Sequence, residues 1–312
     1  MADTIKDVLC RSLVGLAEED DNMVVLKADG VSPWLSGFEK VFPDRCFNLG
    51  MAELDLVSTA AGMASAGKKP WVFSTASRLV GRAYDALRTA VALPGLPVKV
   101  VTFYGGVSAG EDGAVSQILE DLSLMRSLPG MSVWVPCDGL SCGPILKEAY
   151  KSDGPAYVRL SATDMPDVYD GQSLQAEVLG AVSLRAGDGV TLCACGIMVH
   201  EALRAASILA QQDITAEVLD CRSLSPLPER AILDSVHRTG CCVVAEEHSS
   251  RGGLGEAVAS MLCKNYPVSC RFVSIEGRPG QSGSPRDLLE YYGLTYQQIV
   301  GAAVEAWTMR RR

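Results

Sequence analysis

The stretch CFNLGMAELDLVSTAAGMASAGKKPWVFST, residues 46–75, decides the fold class. CFNLG (46–50) is a short β-rich run. After it, Leu54, Val57, Ala61 and Ala64 recur at intervals of three and four residues, one face of a helix, until Gly67 stops the run. PWVFST (70–75) is β-rich again. Strand, helix, strand at this spacing predicts a crossover connection and hence a parallel sheet with helices on its faces.

Working outward, MVVLKA (23–28), VKVVTFY (98–104), MSVWVP (131–136) and AYVRLS (156–161) continue the pattern. They are near-continuous apolar runs, as strands buried on both faces should be. Residues 162–180 break it with Pro166, Asp167, Asp170 and Gly171, which reads as a linker. A second alternating set follows: VTLCACG (190–196), TAEVLDC (215–221), CCVVAEE (241–247) and RFVSIE (271–276). Helical patterns fit between them, including MVHEALRAASIL (198–209) and AVASMLCK (257–264). The expected fold is α/β: two doubly wound α/β domains, residues 1–170 and a smaller unit at 180–312.

Composition narrows the function. The chain has 312 residues, 48% hydrophobic, 21% charged and 6% aromatic, a globular balance rather than a disordered one. Its formal charge of −9, from 37 acids against 28 bases, argues against a nucleic-acid partner. No apolar run reaches the length of a membrane helix. The start, MADTIKDVLC, lacks the basic and apolar regions of a signal peptide, so the expected compartment is the cytoplasm. Eleven cysteines, an odd number without regular spacing, fit that compartment better than a disulfide framework. No CxxC occurs and there are only three histidines, so no metal site is expected within the chain.

In open parallel sheets, ligands gather beyond the carboxyl ends of the strands. Glu53 lies there, just past CFNLG. By position alone it reads first as a first-turn acid stabilised by the helix dipole, a common feature worth about 0.3–1 kcal/mol. The loop GGVSAGEDGAVSQILEDL (105–122) carries glycines at 105, 106, 110 and 113, which permit sharp turns and close approach to a ligand. Glu111 and Asp112 sit at its centre; an exposed acidic turn would look the same. RGGLGEAVA (251–259) resembles a phosphate loop only weakly, because it lacks both GKS/GKT and the full GxGxxG. Gly187-Asp188-Gly189 imitates the start of a thiamine-diphosphate magnesium motif, but the next asparagine is Asn265, too distant, and the tripeptide reads as a turn.

Taken together, PDRCFNLGMAELDLVSTAAGMASAGKKPWVFST (43–75), GEDG (110–113), LEDLSLMRSLPGMSVWVPCD (119–138) and GPAYVRLS (154–161) resemble the pyrimidine-binding domain of transketolases. The likeness is greatest to the separately encoded C-terminal subunit of split transketolases. GIMVHEAL (196–203), AEEHSSRGGLGEAVA (245–259) and RPGQSGSPRDLLEYYGLT (278–295) resemble the C-terminal domain of the same family.

The resemblance implies half of an active site. Thiamine diphosphate and Mg2+ would be held with a separate N-terminal subunit carrying the GDG…N motif and the metal ligands, in an α2β2 assembly inactive without that partner. Glu53 falls on the family's catalytic glutamate, which hydrogen-bonds N1′ of the aminopyrimidine and promotes its imino tautomer. Asp112 matches an aspartate that binds a substrate hydroxyl. Ser32 matches a serine near the substrate phosphate. The two pyrimidine-stacking phenylalanines fall on Ala76 and Leu79; loss of aromatic stacking there costs about 0.5–1.5 kcal/mol beyond area burial. Two substrate histidines fall on Tyr104 and Ser116, and an arginine falls on Ala162. A second arginine has no counterpart near Thr4–Lys6 unless Lys6 substitutes. Charge-assisted bonds of this kind contribute about 1.5–3 kcal/mol each, so their joint loss points to a non-standard substrate. Arg78 is new in this loop, as a relocated charge or as a surface arginine.

The expected function is transfer of a two-carbon ketol unit from a ketose to an aldehyde. One alternative is a β-subunit of a 2-oxoacid dehydrogenase, although those lack a GEDG loop in this register. Another is a non-catalytic scaffold, favoured by the lost phenylalanines and histidines and opposed by Glu53, Ser32 and Asp112. Glu246, Glu247 and His248 imitate an acid/base cluster, but in the family this segment is mainly structural.

Overall fold

A computed structural model describes residues 4–161, 166–169 and 180–310. The first sheet is built from β1 (Met23–Lys27), β2 (Cys46–Asn48), β3 (Lys69–Thr75), β4 (Lys99–Phe103), β5 (Ser132–Trp134) and β6 (Ala156–Leu160). All pair in parallel, in the spatial order β5-β6-β4-β3-β1-β2. β1, β4 and β6 are buried at every position, which explains why their sequences show no alternation. On one face, the helices Ile5–Glu19, Ser32–Val41 and Gly139–Lys151 enclose a core that includes Leu9, Leu13, Phe38, Trp71, Phe103 and Ile145.

The opposite face carries the helices Glu53–Ser65 and Ala76–Ala86. The first buries Leu56, Val57, Ala60, Ala61 and Ala64, whereas Leu54 is 56% exposed. The sequence places Leu54 in the apolar stripe; the helix turns it outward, beside Met51 and Phe47, which are also exposed. That core runs on without a break into the second domain, through Cys193, Leu219 and Val244.

The strands of the second sheet are β7 (Val182–Arg185), β8 (Val190–Ala194), β9 (Ala216–Asp220), β11 (Cys241–Ser249) and β12 (Ser269–Ile275). Their spatial order is β12-β11-β8-β9-β7. The helices Met198–Ala210 and Tyr296–Thr308 cover its outer face. Two strands escape sequence reasoning. β7 pairs antiparallel with β9, and β10 (Ser223–Ser225) crosses over to pair antiparallel with β5 in the first sheet. Both are too short to carry a periodic signal.

The interdomain segment is partly strapped down, contrary to a plain linker. Val168 and Tyr169 donate their backbone N–H groups to Asp138 Oδ2 at 2.8 and 3.1 Å. The Tyr169 hydroxyl donates to Asp220 Oδ2 at 2.6 Å. Asp170 and Gly171 lie outside the described residues.

Candidate active site

The strand order β6-β4-β3-β1-β2 brings five chain exits to one edge of the first sheet. Tyr104 follows β4, Ala76 follows β3, Ser32 lies five residues past β1, and Glu53 opens the helix after β2. The loops after β1 and β2 are tied together. Asp29 N–H donates to Gly50 O at 3.1 Å, Asn48 Nδ2 donates to Asp29 Oδ1 at 2.9 Å, and Gly50 N–H donates to Asn48 Oδ1 at 2.9 Å. This fixes the position from which Glu53 starts its helix.

Glu53 is 2% exposed, although Phe47, Met51 and Leu54 around it are open. Its carboxylate has two long contacts. Ser74 Oγ donates to Oε1 at 3.4 Å, and Arg82 Nη1 lies 3.6 Å from Oε2. A carboxylate accepts about four hydrogen bonds, so this one keeps capacity for a strong external donor. Ala76 and Leu79 are fully buried on the adjoining helix. Both lie inside the continuous core with no open surface, so the fit to a heteroaromatic ring bearing an N–H or ring nitrogen rests on the Glu53 carboxylate itself. Sequence reasoning misses Ser74 and Arg82. The signal for Arg82 is helical spacing, three residues beyond Leu79 and four beyond Arg78.

Ser32 is the first residue of its helix, half-buried and followed by Pro33. Trp34 from the same helix stacks on Phe103 with ring centroids 4.3 Å apart, which brings Ser32 toward the end of β4. Tyr104 is half-buried and has φ of +62°, a left-handed conformation that a bulky residue rarely adopts. Arg78 is half-buried. Ala162 lies outside the described residues.

The loop holding Asp112 and Ser116 is organised differently from expectation. Gly105 and Gly106 do not leave room for a ligand. A Cβ at Gly105 would collide with Arg159, and one at Gly106 with both Arg159 and Glu247. These glycines admit a buried interdomain cluster. Arg159 Nε lies 3.5 Å from Asp121 Oδ2, Arg159 Nη2 lies 3.6 Å from Glu247 Oε2, and Val107 N–H donates to Glu247 Oε1 at 2.8 Å. Burial pushes the Glu247 carboxyl up to about 7, while Arg159 and the Val107 N–H pull it down. Asp112 is exposed on a 3-10 turn, Gly110–Asp112, and Ser116 is half-buried just beyond it. Thus Glu53, Ser74 and Arg82 meet directly, whereas Asp112 and Ser116 sit on a loop whose contacts run to the second domain.

The remaining motifs resolve as structure. At RGGLGEAVA, the helix Leu254–Asn265 has its N-terminus filled by Glu246, whose oxygens accept from Leu254 N–H at 2.7 Å and Gly255 N–H at 2.8 Å. A protein carboxylate already occupies the place where a phosphate would bind. His248 is buried and contacts Ser123 N–H and Ser249 O. Gly187 and Gly189 pack tightly on the backbone of Thr215–Glu217, as a turn does. Among the described residues, no group of three His, Cys, Asp or Glu side chains is placed to hold a metal ion. No described helix is long and apolar enough to cross a membrane.

Residues 4–167 match the family model of the transketolase pyrimidine-binding domain, and residues 180–299 match that of the transketolase C-terminal domain. A 6-deoxy-6-sulfo-D-fructose transketolase subunit from Clostridium sp. (strain MSTE9) is 38% identical, covering 96% of this chain and 94% of the relative. One subunit of an apulose-4-phosphate transketolase from Phocaeicola vulgatus is 32% identical, over 94% of each chain. Among solved structures, a split-gene transketolase in an inactive β4 tetramer superimposes with a TM-score of 0.92 at 37% identity, covering 99% of this chain and 100% of that one. With both domains matched and the likeness running almost end to end, the chain belongs to the transketolase family.

Proposed function

We propose that this chain is the pyrimidine-binding and C-terminal subunit of a split, thiamine diphosphate-dependent transferase that moves a two-carbon ketol unit from a ketose to an aldehyde. The division falls at residues 1–170 and 180–312. The observation that carries the reading is Glu53, a buried carboxylate with unspent acceptor capacity beyond the carboxyl ends of the strands. When bound, thiamine diphosphate supplies a nucleophilic carbon that accepts the ketol fragment. Glu53 exchanges a proton with N1′ of its aminopyrimidine through a carboxylate oxygen, and Ala76 and Leu79, at the family's stacking positions, support from within the core the surface on which the ring rests. Ser74 and Arg82 orient the Glu53 carboxylate. Ser32, Arg78, Tyr104, Asp112 and Ser116 bind the substrate.

A partner subunit with the GDG…N motif supplies the Mg2+ ligands and completes an α2β2 assembly in the cytoplasm. The exposed apolar residues Phe47, Met51 and Leu54 around Glu53 support a covering partner. The relative solved as an inactive β4 tetramer supports dependence on that partner. Replacement of cationic residues by Tyr104, Ser116 and Ala162 supports a non-standard substrate, and relatives named for a sulfo-sugar and for apulose 4-phosphate point the same way. The free cysteines suit a reducing compartment.

The test is affinity purification of the tagged chain from its native cells, with assay of thiamine diphosphate in what is recovered. A stoichiometric GDG…N partner with cofactor is the expected result. A lone chain that takes up no cofactor with any co-expressed partner would leave only the scaffold reading.

A further inference from the structure

The loop that carries Asp112 and Ser116 is gripped by the second domain through one side chain. Gln117 is buried, 6% exposed. Its Nε2 donates to Gln281 O at 2.8 Å and to Gly110 O at 3.3 Å, and its Oε1 accepts from Gln281 N–H at 3.1 Å. A single amide therefore joins the start of the acidic turn to a segment 164 residues away. The contact surfaces leave no slack. A Cβ at Gly113 would meet Ser282 Oγ, and one at Gly280 would meet Gln117 Oε1 and Ala114.

The gripping segment is itself anchored at both ends. The Tyr292 hydroxyl donates to Pro279 O at 2.6 Å, and Arg278 Nη1 donates to Tyr291 O at 2.9 Å. At the other end, Ser284 caps the helix Pro285–Tyr292 by accepting from Asp287 N–H at 3.2 Å. The loop base is sealed by the Val107–Glu247 bond and by Ser249 N–H donating to Leu119 O at 2.7 Å. The loop's own bonds are the antiparallel Gly106–Ile118 pair at its base and short turns such as Gly113 N–H to Gly110 O.

We infer that residues 278–284 form a jig on the C-terminal domain that sets the conformation of the substrate loop, with Gln117 as the positioning residue. This gives the C-terminal domain a part in substrate binding, and it rests on the transferase reading for its catalytic consequence. A loop that must hold Asp112 against a substrate hydroxyl gains from such bracing, because a hydrogen bond lengthened by about an ångström is no longer made.

The experiment uses Gln117→Ala and Tyr292→Phe in the full chain. Tyr292→Phe loosens the jig without touching the loop. Amide hydrogen exchange at Asp112, Gly113 and Ser116 should accelerate about tenfold in the first variant and about threefold in the second, while amides of β4 and β11 keep their protection. In the complex with its partner, β-hydroxypyruvate serves as donor and glycolaldehyde as acceptor. There, Gln117→Ala should raise KM for glycolaldehyde about tenfold with kcat within about threefold and thiamine diphosphate affinity unchanged. Unchanged loop exchange in both variants would overturn the inference. So would loss of protection across the strands or of cofactor affinity, which would make Gln117 a general structural residue. A wild-type complex that fails to turn over β-hydroxypyruvate counts against the transferase reading, and loop exchange still decides the jig.

Discussion

Replacing Glu247 by Gln isolates the effect of one buried proton on the whole fold. Glu247 sits at the domain junction, with Oε1 accepting from Val107 N–H at 2.8 Å and Oε2 lying 3.6 Å from Arg159 Nη2. Burial holds its carboxyl at about 7, against an ordinary value of 4.5. The folded chain therefore binds this proton more tightly than the unfolded chain. Below pH 4.5 both states are protonated and the group's contribution is fully present. As pH rises toward about 7 only the unfolded state ionises, and stability falls; above that value the loss is complete. The separation between 4.5 and about 7, at about 1.4 kcal/mol per pH unit, comes to about 3 kcal/mol. Glutamine keeps the acceptor for Val107 and nearly the same volume, but cannot ionise. Urea unfolding of both proteins between pH 4.5 and 8, followed by tryptophan fluorescence and far-UV circular dichroism, measures the difference. Glu247→Gln should gain on the wild type by about 3 kcal/mol across that window and then stay level. Parallel curves, or a wild type that gains with rising pH, would refute the argument.

In the assembled complex, Glu53→Gln should lower kcat by about 10²–10⁴-fold while cofactor content is retained, measured by donor consumption and by assay of bound thiamine diphosphate. Near-normal turnover would remove Glu53 from the proton path. Gly253→Ala puts a methyl group into the Glu246 carboxylate that caps Leu254 and Gly255, and should cost about 2–3 kcal/mol, read as a lower Tm. An unaltered Tm would show that Glu246 moves aside without loss. Combining Tyr104→His with Ala162→Arg should raise kcat/KM for phosphorylated aldoses about tenfold to hundredfold over the wild type. No change would place the anion site elsewhere on the protein.

The fold class was legible in the sequence because its signals are local. Continuous apolar runs specify β1, β4 and β6, and helical spacing after CFNLG specifies Glu53–Ser65. Glu53 could be singled out by its place after a strand and by the surrounding family motif. Its burial, and its contacts with Ser74 and Arg82, depend on how two adjacent crossovers stack, which no local pattern encodes. The same holds for Leu54, whose helical spacing is right but whose face is set by the neighbouring helix.

What the sequence by itself determined was the α/β class, the order of the main strands and helices, and the residue types at the mouth of the first sheet. Only tertiary structure decided what the glycines were for. Gly105 and Gly106 yield to Arg159 and Glu247, Gly253 yields to Glu246, and Gly113 yields to Ser282. In each case the missing side chain makes way for a group distant in the chain. A sequence shows that space has been left, but the folded chain alone determines what fills it, because close packing is a property of surfaces brought together from afar.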